Sequence, residues 1–521
     1  MRKLSIGIID LVAKAPTKNM WERVMGANFA SIMPQVVATW CEEMGHEVTL
    51  VTYTGREDLL EELPNNVDIV FIASFTEAAL LAYALSNLFR SRGAVTAIGG
   101  SHARCYPQDA QKYFDYVLGF TDKKLIFEIT SDCSRHRPFG MHLSAPQHPA
   151  ELPSVRERWK FIEQTTRKAP FIKIVPLLGS LGCPYTCDFC IDSTVRYQPM
   201  DPEAMKEDLR FLLGKFKRPH VAWHDPNFGV RFDRCLDAIE EAVPPNRIDF
   251  IAESTLSLLS ESRVKRLRRN GFKALLPGIE SWFELGKKSR TGKTIGMEKV
   301  EMVSEHINMI LKYIPYVQTN HIVGLDGDSG PEPFELTKKF LNITPGAFPA
   351  YSLLSAFGQA APLNLQFQEN NRVLPFPFHV LSNSQMNIKP KNYSWPEFYD
   401  RLIDLLKYSF SPRMVLRRFM ANGETAPRIL NIVRAISSEG SGRIKYFKEI
   451  RRRLDSDKPL RRFFEQETNE IPQFLVQSIR KDLREFWDWL PDGALTHDPN
   501  AYLLSQQNGC ACCNVMGIKN P

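Results

Sequence analysis

No stretch of the 521-residue chain reads as a membrane span. The most apolar long segment, Ile69 to Phe89, is interrupted by Glu77 and is better explained as a strand followed by a helix than as about 20 lipid-facing residues. No opening segment joins a basic start, an apolar run and a small-residue cleavage site, so a secretory leader is not expected and the cytoplasm is the expected compartment. Cysteine is sparse, with ten in the whole chain. Without secretory features this argues against a disulfide framework and for thiol or metal chemistry. No internal repeat is visible, which excludes a repeat array.

What is present points to a folded protein of two or three domains, because 521 residues exceed one ordinary core. The formal charge of +7 is concentrated late. Segment 413–462 carries about fourteen Lys or Arg against about five Asp or Glu. A solvated helical face is the expected use of that excess, with contact to an anionic lipid surface or nucleic acid as the alternative.

Short β-branched runs alternate with helical patterns from the start, the mark of a parallel sheet covered by helices. Strands are expected at Lys3–Asp10, Glu47–Tyr53, Val67–Ser74, Ala94–Ile98 and Tyr116–Gly119, making 1–130 one doubly wound α/β domain. Residues 131–170 lack sustained periodicity and read as a linker with some local structure. A second series, 171–384, offers six strands (Ile172–Leu178, His220–His224, Ile248–Glu253, Ala274–Ile279, Val317–Val323, Ala350–Ala356) with helices between them. That spacing suits a partial or complete barrel with its active site at the carboxyl ends of the strands. From 385 to 521 the pattern is helical, aromatic and basic.

Six of the cysteines fall into two groups. Cys41, Cys105, Cys133 and Cys235 are scattered, as small core residues are. Cys183, Cys187 and Cys190 sit in Gly182-Cys-Pro-Tyr-Thr-Cys-Asp-Phe-Cys190, just past the first strand of the second series. Three thiolates on one compact loop can each bind a different iron of a cubane cluster, leaving the fourth iron without a protein ligand. A zinc site completed from elsewhere is the alternative, but no second C-x-x-C pair is present to close a tetrahedron.

The C-x-x-x-C-x-x-C spacing, with Phe189 before the last cysteine, resembles the radical S-adenosylmethionine (SAM) superfamily. The resemblance covers about 171–360 and implies a 4Fe–4S cluster whose open iron is chelated by SAM. Trp223-His-Asp-Pro-Asn-Phe228 resembles the end of the second strand in the cobalamin-linked branch. Ala252-Glu-Ser254, Gly278-Ile-Glu-Ser281 and His321-Ile-Val-Gly324 resemble the ends of the third, fourth and fifth. On this likeness Asp225, Asn227, Glu253, Ser254, Glu280 and Ser281 are candidates for contact with SAM or, for the first two, substrate.

The first domain carries Ser74-Phe-Thr76 and Gly99-Gly100 at neighbouring strand ends. Glycines there let a ligand approach the backbone closely. The pattern resembles the cobalamin-binding domain that precedes the barrel in the methylating branch, where such elements surround the nucleotide tail. An inherited scaffold without a corrinoid is the alternative. The family's Asp-x-His-x-x-Gly motif is missing after the first strand, where Asp10-Leu-Val-Ala-Lys14 stands, so a histidine on the cobalt is not expected from that position. His102, after the paired glycines, is expected as a ligand contact or an exposed loop residue.

The resemblance as a whole implies a cobalamin-dependent methyltransferase acting on a carbon centre of a small molecule, lipid or natural-product intermediate. It implies an electron donor such as flavodoxin or ferredoxin and no nucleic acid partner. Two other readings remain: a radical SAM enzyme that rearranges, cyclises or oxidises without methyl transfer, and a non-catalytic metal-binding protein. Cys510, Cys512 and Cys513 form the second cysteine group, suited to an auxiliary cluster, a soft metal or a role in the active site, or else part of an unordered tail.

Overall fold

The computed structural model describes residues 2–18, 20–133, 139–149, 151–285, 291–382 and 385–501. Cys510, Cys512 and Cys513 lie outside them. Among the described residues no helix is long and apolar enough to cross a membrane.

The first sheet comprises β1 (Ser5–Leu11), β2 (Glu47–Tyr53), β3 (Ile69–Ser74), β4 (Val95–Gly99), β5 (Tyr116–Leu118) and β6 (Met141–Leu143), in the order β2-β1-β3-β4-β5-β6. All of its pairings are parallel. The chain leaves β1 toward one edge and returns on the other side at β3. That reversal opens a crevice at the carboxyl ends of the strands, where doubly wound sheets bind ligands. Residues 131–170 differ from the linker reading. They supply β6, and the helix Trp159–Lys168 buries Phe161 in the first sheet's core and Ile162 in the next domain's. A three-residue edge strand is too short to show alternation in sequence.

The second sheet runs β7 (Ile174–Leu177), β10 (His220–Trp223), β11 (Asp249–Thr255), β12 (Phe272–Glu280), β13 (Tyr316–Val323) and β14 (Phe348–Leu353), neighbours in sequence order and all parallel. Between β7 and β10 lie β8 (Ser180–Leu181) and β9 (Gln198–Pro199), a small antiparallel pair. Helices such as Pro202–Lys215 return the chain outside the sheet; this one starts at Asp201, whose carboxylate accepts the Ala204 N–H, with Pro202 at the first position. The result is an incomplete (β/α)6 barrel with β7 and β14 at its edges.

Helices from Trp395 onward cover the open side and reach the first sheet. One continuous core joins Ile9, Val51 and Leu85 to Phe378, Trp395, Phe398 and Phe463. The helix Ala79–Ser91 is apolar nearly all round because the sheet packs on one face and the last helical turns, Arg484–Trp489, on another. Asn87 donates to Trp489 O at 3.0 Å.

Candidate active site

The cysteine loop hangs between β8 and β9, and three separate parts of the chain fix it. At its base Asp225 accepts the Gly179 N–H on Oδ1 at 2.7 Å and the Ser180 hydroxyl on Oδ2 at 2.6 Å. The carboxylate is buried, and desolvation outweighs those hydrogen bonds, pushing it up to about 6. From the first domain Arg104 donates to Ile191 O at 2.9 Å and pairs with Asp192. From beyond β14, the Leu363 N–H donates to Asp188 O at 2.8 Å.

Within the loop Gly182 has φ +62, and a Cβ there would lie 2.5 Å from Val195 O and 2.6 Å from Arg196 O, so glycine is required for the chain to double back. The Cys190 N–H closes a turn on Cys187 O at 3.0 Å. Cys183, Cys187, Phe189 and Cys190 are all half-buried. Among the described residues no three His, Cys, Asp or Glu side chains converge on one metal ion. A cubane makes a different demand, three thiolates at three corners.

The other strand-end candidates divide by strand alternation. Asn227 accepts the Thr255 N–H on Oδ1 at 3.0 Å, which fixes its amide orientation, and its buried Nδ2 has no acceptor among the described residues. Glu253 faces the barrel lumen, whereas Ser254 faces the helical layer and donates to Phe228 O at 2.9 Å. Glu280 ends β12 in the left-handed region, φ 65, at a break in register with β13. A non-glycine residue held there is strained, as functional positions often are. Ser281 is buried and accepts the Phe283 and Glu284 N–H groups, so it shapes the turn after β12.

At the switch point of the first sheet lies a cavity of about 310 Å³, lined among others by Ser74, Phe75, Gly99, Gly100 and Phe29. Gly99 is open to it; a Cβ there would meet nothing nearer than Leu118 Cβ at 4.0 Å. Gly100, at φ +93, is needed for a different reason, since a Cβ would lie 2.8 Å from Ser74 O. Thr76 does not line this cavity; it begins a 3-10 turn. Phe29 and Phe75 are 53% and 48% exposed, two aromatic faces available to a flat ligand. His102 corrects both expectations for it. It is fully buried, held by the Tyr83 hydroxyl at 2.7 Å, and stacked on Tyr106. Burial depresses it to about 3, away from the crevice.

Arg104, His148, Leu178 and His224 line both this crevice and a neighbouring cavity of about 180 Å³ walled by Ser180, Leu181 and Gly182. The crevice of the first domain therefore shares a wall with a cavity beside the base of the cysteine loop. His148 was not legible as a site residue, because it sits in no recognisable motif; His224 lies within the Trp223–Phe228 segment but was not singled out there, since Asp225 and Asn227 were the candidates read from it.

An incomplete parallel barrel with a three-cysteine loop after its first strand abuts the carboxyl edge of a doubly wound domain, an α/β architecture with a crevice between the two. Residues 177–341 match the family model described as Radical SAM superfamily. The chain is 23% identical over 393 residues to a bacteriochlorophyllide d C-12(1)-methyltransferase of Chlorobaculum tepidum, covering 74% of this chain and 83% of that one. To the C-8(2)-methyltransferase of the same organism it is 25% identical over 229 residues, 41% and 50% of the two chains. The radical SAM methyltransferase TsrM from Kitasatospora setae, solved with cobalamin and a [4Fe-4S] cluster, superposes with TM-score 0.51 at 14% identity over 71% of this chain and 78% of that one. Apo OxsB, a cobalamin-dependent SAM radical enzyme, gives 0.53 at 11% identity over 97% and 83%. Residues 177–341 thus carry a radical SAM domain, and the chain shares the fold of these solved enzymes, with a doubly wound domain ahead of the barrel and a helical region after it.

Proposed function

We propose that this chain is a cobalamin-dependent radical SAM methyltransferase that places a methyl group on a carbon centre of a small-molecule, lipid or natural-product substrate. The observation that carries the proposal is that the switch-point crevice adjoins the cavity beside the base of the cysteine loop, across a shared wall of Arg104, His148, Leu178 and His224. The activities of the two bacteriochlorophyllide methyltransferases described above support it.

Cys183, Cys187 and Cys190 would hold three irons of the cluster, and SAM the fourth. When bound, the cluster and SAM supply one-electron cleavage to a carbon radical, and cobalamin supplies a methyl carrier. Asp225 keeps the loop in place by gripping Gly179 and Ser180. Asn227 Nδ2 offers a buried donor, suited to SAM. Ser74, Gly99, Gly100 and the Phe29 and Phe75 rings offer the first domain's ligand a mostly apolar berth. Thr76 would act by shaping the turn after β3, and Glu280 and Ser281 the turn after β12. The enzyme would work in the cytoplasm with flavodoxin or ferredoxin as reductant.

Anaerobically reconstituted protein, supplied with hydroxocobalamin, reduced flavodoxin, methyl-labelled SAM and a small-molecule cell extract, is expected to release 5′-deoxyadenosine and a carbon-methylated labelled product. Corrinoid-loaded protein that releases 5′-deoxyadenosine but never transfers label overturns methyl transfer. Each of Cys183→Ala, Cys187→Ala and Cys190→Ala is expected to lose the electron paramagnetic resonance signal of the reduced cluster.

A further inference from the structure

Two arms reach the cysteine loop from beyond its own base, and both are rooted on one short element of the first domain, the helix Ser101–Cys105. Gly100 precedes this helix, and Ser101 and Arg104 line the switch-point crevice beside Gly99 and Gly100. On its far side the helix is fixed. The buried His102 bonds the Tyr83 hydroxyl, and Tyr106, the next residue after the helix, donates its own hydroxyl to Ala356 O at 3.1 Å. His102 thus anchors the element that borders the crevice, without lining the crevice itself.

The first arm is the Arg104 side chain. It packs over the Phe120 ring at 4.8 Å, donates to the carbonyl of Ile191, the residue after Cys190, and pairs with Asp192 at 3.4 Å. The second arm is the segment 358–363 beyond β14. Cys105 O accepts the Gln359 N–H at 2.9 Å, and Gly358, at φ +57, is required at this contact, because a Cβ would lie 1.9 Å from Cys105 O. Asn364 ties the segment off by donating to Gly358 O at 2.9 Å, and the Leu363 N–H reaches Asp188 O. Asp188 and Ile191 flank Cys190, so a five-residue helix at the crevice fixes the backbone on both sides of one cysteine of the triplet. Between the two ties the loop bonds to itself, the Cys190 N–H to Cys187 O and the Ser193 N–H to Cys190 O. Its placement therefore depends on what holds it from outside.

Resting on the corrinoid binding proposed above, we infer that Arg104 is a positioning residue that couples the two cofactor sites. A corrinoid seated on Gly99, Gly100 and Ser101 holds the helix Ser101–Cys105 in place, and the helix, through Arg104 and the segment 358–363, holds the cysteine loop closed around its cluster. By linkage the effect runs both ways, so a loop that carries its cluster also favours the corrinoid.

The test follows the iron retained by full-length, cluster-loaded protein during anaerobic exposure to EDTA, with and without saturating hydroxocobalamin, the bound cobalt being counted after gel filtration. Hydroxocobalamin is expected to slow iron loss about tenfold. The slowing should fall below about twofold in Arg104→Gln, and below about fivefold in Gly358→Ala, which loosens the second arm from outside the crevice. A corrinoid that only shielded the cluster would protect Arg104→Gln as well as the unsubstituted protein, and an arginine that only supported the fold would raise both rates and leave their ratio unchanged. Either result in folded, corrinoid-loaded Arg104→Gln overturns the inference. If Arg104→Gln does not fold, an undiminished ratio in Gly358→Ala overturns it. Bound hydroxocobalamin that leaves iron loss unchanged sinks this inference alone. Protein that binds none sinks it together with the proposed corrinoid, and protein that shows the coupling yet never transfers methyl sinks methyl transfer alone.

Discussion

Asp225 shows how a residue at a strand end can hold the frame of a site. It holds the base of the cysteine loop through both oxygens, and its burial makes the loop's anchorage depend on pH. The folded carboxyl keeps its proton up to about pH 6, whereas the unfolded one loses it near 3.8. Between those values the native state binds more protons, so this group's contribution to stability is complete below about pH 4 and is lost as pH rises through 6, by up to about 3 kcal/mol. In urea denaturation, Asp225→Asn should remove that slope. Gly100→Ala should cost about 2 kcal/mol or more, because it combines φ +93 with a Cβ against Ser74 O, and corrinoid copurification should fall with it. The cysteine spacing and Gly99-Gly100 were legible because their chemistry is local. The inward place of Arg434 and Arg443, which line the barrel lumen, was not: in sequence they belong to a basic stretch that reads as a solvated face. In the structure that stretch splits between exposed ion pairs such as Arg452–Glu449 and arginines turned inward. An excess of basic residues inside an aromatic-rich segment was the available signal.

At the scale of elements, alternation decided the outcome for adjacent candidates. Glu253 and Ser254 resemble one motif, yet neighbours on a strand face opposite sides, so the lumen receives the first and the helical layer the second. The six barrel strands were readable from apolar runs at regular spacing, and their ends shift by at most a few residues. β6 and a five-residue π turn, Ser438–Gly442, were not readable, the one too short for periodicity and the other dependent on tertiary fit. Gly440→Ala should break this π turn, costing about 2–4 kcal/mol by chemical denaturation, because the new Cβ would lie 2.0 Å from Ala435 O.

At the scale of the whole molecule, the expected division into a doubly wound domain, a barrel and a helical region matches the order of elements but not the way they are held together. The first sheet and the last helices share one core, because the apolar helix Ala79–Ser91 needs a cover that the first 130 residues do not supply. Residues 1–130 produced alone should bind a hydrophobic dye and melt without a cooperative transition, while the full chain should melt with the first sheet and the helical region unfolding together.

The tie from Leu363 to Asp188 and the arginines beyond residue 430 all follow the cysteines in the chain. A ribosome adding about 5–20 residues per second makes the loop well before it makes what encloses it, by roughly tens of seconds. During biosynthesis the thiols therefore pass through an interval of open access, and iron delivery has to compete with oxygen within it.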